Sequence, residues 1–143
     1  AQIDTAQSVF GGASGLFDGA GDNVNTGADA WWDFGTGAFC IDFRIRMVDA
    51  SGDEGWVDVD DGAGATGIRW ILKSADGGAQ VGINANFNIF AWTPAIDTWY
   101  HTALNRSGSD VKFFVDGTQT GATFTNSSNI TGSSRPVGVM QNS

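Results

Sequence analysis

From Phe39 to Met47 the chain alternates without a break. Phe39, Ile41, Phe43, Ile45 and Met47 point one way, and Cys40, Asp42, Arg44 and Arg46 point the other. A period of two over this length predicts one β-strand with a dry face and a wet face, because successive side chains of an extended chain project to opposite sides. A helix would scatter the same apolar residues around its circumference. The Gly35-Thr36-Gly37 turn launches the run. The expectation is a central antiparallel strand.

Composition supports the same class of fold. Glycine contributes 21 of 143 residues, proline only 2, and aromatics 12%, with Trp unusually frequent. Aromatic and β-branched strands separated by glycine-rich turns predict an all-β sandwich or barrel in a single domain spanning residues 1–143. Of 16 acidic residues only Glu54 is a glutamate, which leaves fifteen aspartates, the acid of turns rather than of helices. A formal net charge of -9 with seven thinly spread Lys and Arg argues against nucleic acid or an anionic membrane as partner. No apolar run approaches the length of a membrane-spanning helix, and no basic-then-apolar leader is visible. The single cysteine, Cys40, has no internal disulfide partner. Alternation puts it on the wet face, whereas its residue type favours a small buried hydrophobe, which is the reading taken here.

In order along the chain, short strands are expected at Ser8-Val9-Phe10 and Gly15-Leu16-Phe17 after an entry segment of residues 1–7. Trp31 and Trp32 fall on a loop or a single helical turn. Beyond the alternating strand, strands are expected around Trp56 to Asp60, Gly67 to Lys73, Gln80 to Asn84, Phe87 to Trp92, Trp99 to Arg106, Val111 to Val115, Thr118 to Phe124 and Val137 to Met140. Asp76-Gly77-Gly78 and Asp116-Gly117 are tight-turn signals. Residues 125–134 read as a Ser/Thr/Asn-rich loop.

Three pieces then carry a family resemblance: Gly15-Leu16-Phe17-Asp18-Gly19 with Asp22-Asn23-Val24; Phe34-Gly35-Thr36-Gly37 leading into Phe39-Cys40-Ile41-Asp42-Phe43; and Trp99-Tyr100-His101-Thr102-Ala103-Leu104, Arg106-Ser107-Gly108, Val111-Lys112-Phe113-Phe114-Val115-Asp116-Gly117. In this order, over roughly residues 8–140, the chain resembles the laminin-G-like or concanavalin-A-like jelly-roll domains of bacterial surface and phage proteins. The resemblance implies an antiparallel two-sheet jelly-roll sandwich (concanavalin A-like) with loops at its rim. Relatives of this kind continue past Val137-Gly138-Val139, so the resemblance implies a fragment lacking its last strand or strands, with cover by another subunit as the alternative.

Each chemical candidate has a plainer reading. The glucanases of this fold use two carboxylates about 5–10 Å apart, and the sole glutamate, in Glu54-Gly55-Trp56-Val57-Asp58, has the wrong spacing to put a pair on one face. Hydrolase activity is therefore a low-ranking alternative and no catalytic residue is named. His101, the only histidine, reads as structural. For calcium, Asp18 and Asp22 flank a glycine-rich turn and Asp58, Asp60 and Asp61 cluster before another; Asp18, Asp22, Asp60 and Asp61 are the candidate ligands, against turn formation as the plainer account. Sugar rings stack on exposed aromatics while polar groups read the hydroxyls, which nominates Trp56, Trp92, Arg69 and Asp58. Trp32 and Trp99 are assigned to the core. The expected function is extracellular or virion-surface recognition and assembly, binding a glycan or neighbouring structural subunits within a larger multimer, without membrane insertion. A purely structural decoration or packing role is the alternative.

Overall fold

The computed structural model describes residues 1–18, 21–60, 67–131 and 136–140, with only the backbone at Asp60. Its strands are β1 (Gln2–Asp4), β2 (Ser14–Leu16), β3 (Val24–Asn25), β4 (Phe39–Arg46), β5 (Asp53–Asp60), β6 (Gly67–Lys73), β7 (Gly78–Ile83), β8 (Asn86–Ala91), β9 (Trp99–Ser107), β10 (Asp110–Val115), β11 (Thr118–Thr125) and β12 (Gly138–Val139). The helical content among the described residues is two 3₁₀ turns, Ala30–Trp32 and Ser74–Asp76. A four-stranded sheet in the order β11-β10-β9-β4 packs on a six-stranded sheet in the order β3-β12-β5-β6-β7-β8, and every pairing is antiparallel. This is the all-β sandwich that the alternation predicts. At the N-terminus Ser8 to Phe10 does not form a strand; β1 pairs instead with β2 as a separate ribbon.

The alternating run forms β4, in unbroken register with β9 from Phe39↔Arg106 to Arg46↔Trp99. Its faces are as expected, but its place is not. β4 is an edge strand of its sheet rather than a central one. Phe39, Ile45 and Met47 are buried, whereas Ile41 and Phe43 stay half-buried. Cys40 is exposed on the outer face, so the period of the strand overrides the habit of the residue type.

The core lies between the sheets. Trp56, Trp70, Phe43, Trp92, Phe113 and Tyr100 form one aromatic cluster, with Trp56 and Trp70 edge to face at 5.5 Å and Trp92 and Tyr100 edge to face at 5.2 Å. Such pairs bring ring edges to ring faces and add about 1 kcal/mol each beyond area burial. The Nε1 groups of Trp56 and Trp70 are buried with no hydrogen-bond partner among the described residues.

Strict alternation along Trp56-Val57-Asp58-Val59 would put Trp56 on the same outer face as Asp58. A β-bulge prevents this: the register with β6 slips between Gly55 and Val57, so Trp56 and Val57 are both buried. Trp99 departs from expectation in the opposite sense. Tyr100, Thr102, Leu104 and Arg106 take the inward positions of β9, and Trp99 is half-buried on the outer face. Trp32 is half-buried against the core, on the 3₁₀ turn that Asp29 Oδ1 caps by accepting the Trp31 amide at 3.0 Å.

One end of the sandwich is tied by polar groups. Arg106 is fully buried, and its guanidinium donates to Gly35 O (2.7 Å), Gly37 O (2.8 and 3.0 Å) and Ser128 O (2.9 Å), with the Phe39 ring 5.2 Å away. From the expected loop, Asn126 donates to Ile83 O at 3.3 Å, Asn129 O accepts from Asn84 at 2.6 Å, and Ile130 exchanges backbone hydrogen bonds with Gly35. Residues 126–130 thus strap β4's entry turn to the β7–β8 hairpin.

Candidate functional site

The outer face of the six-stranded sheet carries the best-organised group of polar and aromatic side chains among the described residues. Ile68, Trp70 and Leu72 are buried inward, so Arg69, Ile71 and Lys73 project outward. Register then fixes the neighbours. Asp58 lies opposite Arg69, Arg69 opposite Gly82, and Gly82 opposite Phe87, while Gly138 and Asn25 extend the row on the far side of Asp58. The row alongside runs Gly55, Ile71, Gln80, Ile89. Four strands at about 4.8 Å spacing put Asp58 and Phe87 roughly 14 Å apart across the sheet.

Glycines lower the floor of this face, and one of them seats an aromatic ring. A Cβ added to Gly82 would meet the Phe87 ring at 2.6 and 2.8 Å, so the ring lies directly over the Gly82 backbone. Phe87 is nonetheless 52% exposed: one face is held by the sheet and the other meets solvent. Ile71, only 4% exposed, floors the adjacent position. An aromatic ring fixed on a glycine, in one row with a guanidinium two strands away and a carboxylate three strands away, offers an apolar platform with a donor and an acceptor further along the same face.

The sequence candidates are divided between the two sides of the sheet. Arg69 and Asp58 come together on the outer face, half-buried and in direct register. Trp56 is 1% exposed and has no face to offer a ligand; the bulge moves it to the core. Trp92 is half-buried in the same cluster, stacked edge to face on Trp56, Tyr100 and Phe113 at 5.9, 5.2 and 5.6 Å. Phe87, which the sequence reading did not single out, takes their place. The signal lay in Asn84-Ala85, a two-residue turn with φ of +48° and +60° that sets Phe87 opposite Gly82. Alanine in the second turn position, where glycine is usual, obscured it.

The metal candidates are placed differently. Asp22 accepts the Asp18 amide at 3.2 Å and pairs with the terminal ammonium of Ala1, which together hold its carboxyl below the usual range, the ammonium being the larger cause. Asp60 contributes its backbone to the pairing with Gly67, and Asp61 lies outside the described residues. Among the described residues no group of three or more His, Cys, Asp and Glu side chains is placed to hold a metal ion.

On the opposite outer face, His101 Nε2 lies 2.8 Å from Asp42 Oδ2, and the His101 amide donates to Asp116 Oδ1 at 2.9 Å. Cys40 shares this face, but burial and then Asp42 push its thiol pKa up, the reverse of an activated nucleophile. Cys40 pairs with Asn105 and His101 with Arg44, four residues apart along the strand, or about 13 Å. No thiol–imidazole pair forms.

No protein-family model matches the chain, and no curated protein matches it.

Proposed function

We propose that the chain is a non-catalytic surface-recognition and assembly domain that takes glycan on the outer face of its six-stranded sheet, within an extracellular or virion-surface protein. The observation that carries this reading is the Phe87 ring seated on Gly82, half exposed, in one row with Arg69 and Asp58. One sugar ring of an oligosaccharide stacks its C–H face on the phenyl platform, and the guanidinium and carboxylate, two and three strands away, exchange hydrogen bonds with hydroxyls of the neighbouring sugar units. Shallow sites of this kind bind weakly, and copy number raises the effective affinity.

A hydrolase would need two facing carboxylates. Among the described side chains of this face the other strand acid, Asp53, is held by Lys73 at 2.9 Å, which supports binding over cleavage. Exposed apolar side chains in the N-terminal part of the chain, Ile3 (81%), Phe10 (72%) and Trp31 (85%), favour a second reading in which the domain packs against neighbouring structural subunits without a ligand.

The test is a glycan-array screen of the domain displayed as a multimer, with and without calcium. Specific binding is expected, at least about tenfold weaker in Phe87→Ala, which removes the platform, and in Gly82→Ala, whose Cβ displaces the ring. Silence across the array, with an unchanged melting curve, would transfer the reading to structural packing. A calcium requirement would reopen the acidic loops.

A further inference from the structure

We propose that two copies of this chain associate through the free edge of β4, antiparallel about a two-fold axis at Phe43, joining their four-stranded sheets into one. Among the described residues β4 pairs with β9 on one side and with no strand on the other. Exposed strand edges template pairing, and folded proteins blunt them with bulges, prolines, lysines or short length. Two of the other edges are blunted in these ways: β11 has a register slip opposite β10, and β3 is two residues long. The remaining edge, β8, is regular but shorter, at six residues, and its Phe90 backs onto Gly121 of β11. β4 is eight residues long, regular throughout, and free of proline, lysine and bulge.

The charges of β4 select the occupant and the register. Facing residues in a continuous sheet must project to the same side, so a two-fold axis has to pass through a residue position. At Phe43 it sets Asp42 opposite Arg44 of the second copy, twice by symmetry, with Ile41 opposite Ile45 and Phe43 opposite itself. Moved one residue, the axis sets Asp42 against Asp42, or Arg44 against Arg44 with Asp42 facing an Arg46 that already pairs with Asp97 at 2.8 Å and with a shorter overlap of the two strands. Only the Phe43 register combines opposite charges with the full strand. Its inward residues are the half-buried Ile41 and Phe43, whose uncovered surface a second β4 would close.

Asp42 and Arg44 are both exposed, although Asp42 also contacts His101 at 2.8 Å and the Phe10 ring lies 5.1 Å from the Arg44 guanidinium. A two-strand seam buries less than the standard interface of about 1,600 Å², so association is concentration-dependent, with a Kd on the order of micromolar. An axis perpendicular to the joined sheet leaves both six-stranded faces pointing the same way, an arrangement suited to bivalent attachment. That last consequence rests on the glycan reading; the pairing does not, and its test involves no glycan.

Sedimentation velocity over a concentration series separates the outcomes. Wild-type chain is expected to shift from monomer to dimer. Asp42→Arg and Arg44→Asp each place like charges opposite one another and are expected to weaken the dimer at least about tenfold. Mixed in equal amounts, the two variants restore both opposite-charge pairs and associate, as does the double variant alone. Melting curves verify that each variant is folded, and both substitutions are on an exposed face. A wild-type chain that stays monomeric, single variants that dimerise like wild type, or a mixture that does not associate would each overturn the proposal.

Discussion

A guanidinium buried without a carboxylate partner survives only where its nitrogens find acceptors, and all three nitrogens of Arg106 donate to backbone carbonyls from two loops. Burial lowers its pKa, but from so high a starting value that the group stays cationic. The planar fork is what allows one side chain to reach Gly35, Gly37 and Ser128 together; an ammonium at the same position has neither the reach nor the geometry. Arg106→Lys is therefore expected to cost about 2–3 kcal/mol in urea unfolding, with little change in the shape of the folded spectrum. An unchanged midpoint would mean that the carbonyls find other donors. The identity of this lock was not legible in the sequence, where Arg106 reads as one of seven scattered basic residues. Alternation along β9 does place it inward, beyond Tyr100, Thr102 and Leu104, and that position gives an arginine no choice but to collect acceptors.

Strand β5 shows how one element can reverse a local reading. Before the bulge, Glu54 lies opposite Leu72 on the inward face; after it, Val57 and Val59 do. Glu54 is half-buried, and burial first, then Asp49 and Asp53, raise its pKa above 4.5. A carboxyl whose folded pKa is raised binds its proton more tightly in the folded state. Its stabilising contribution is present below the unfolded value and is lost as pH rises through the folded value. Asp49 works in the opposite sense: its Ser51 hydrogen bonds lower its pKa, and that contribution is lost only as pH falls below 3.8. Glu54→Gln is thus expected to melt higher than wild type near neutral pH, with the gap closing as pH falls toward about 4.5. Thermal unfolding across a pH series checks this, and a gap independent of pH would assign the effect to packing instead. The bulge itself could not be read from Trp56-Val57-Asp58-Val59-Asp60, because the slip exists only relative to β6.

At the scale of the molecule, the two sheets are held by the aromatic cluster at their centre and by the strap of residues 126–130 at one end. Ile130 is fully buried and exchanges both backbone hydrogen bonds with Gly35. Ile130→Ala is expected to cost about 3 kcal/mol and to speed hydrogen exchange at the Gly35 and Ile130 amides before that of β9 and β10; uniform acceleration would mean that the strap opens only with the whole fold. The sequence by itself determined the period of two, hence the strands, the dry and wet faces of β4, the Asp116-Gly117 turn and the all-β class, because these are set by neighbours in the chain. Tertiary structure alone decided that β4 is an edge, that Trp56 is inside and Trp99 outside, that the Ser/Thr/Asn-rich segment is a strap, and that Phe87 rather than a tryptophan tops the candidate site. Each of those depends on which strand lies alongside, and strand pairing joins residues whose separation along the chain carries no local signal.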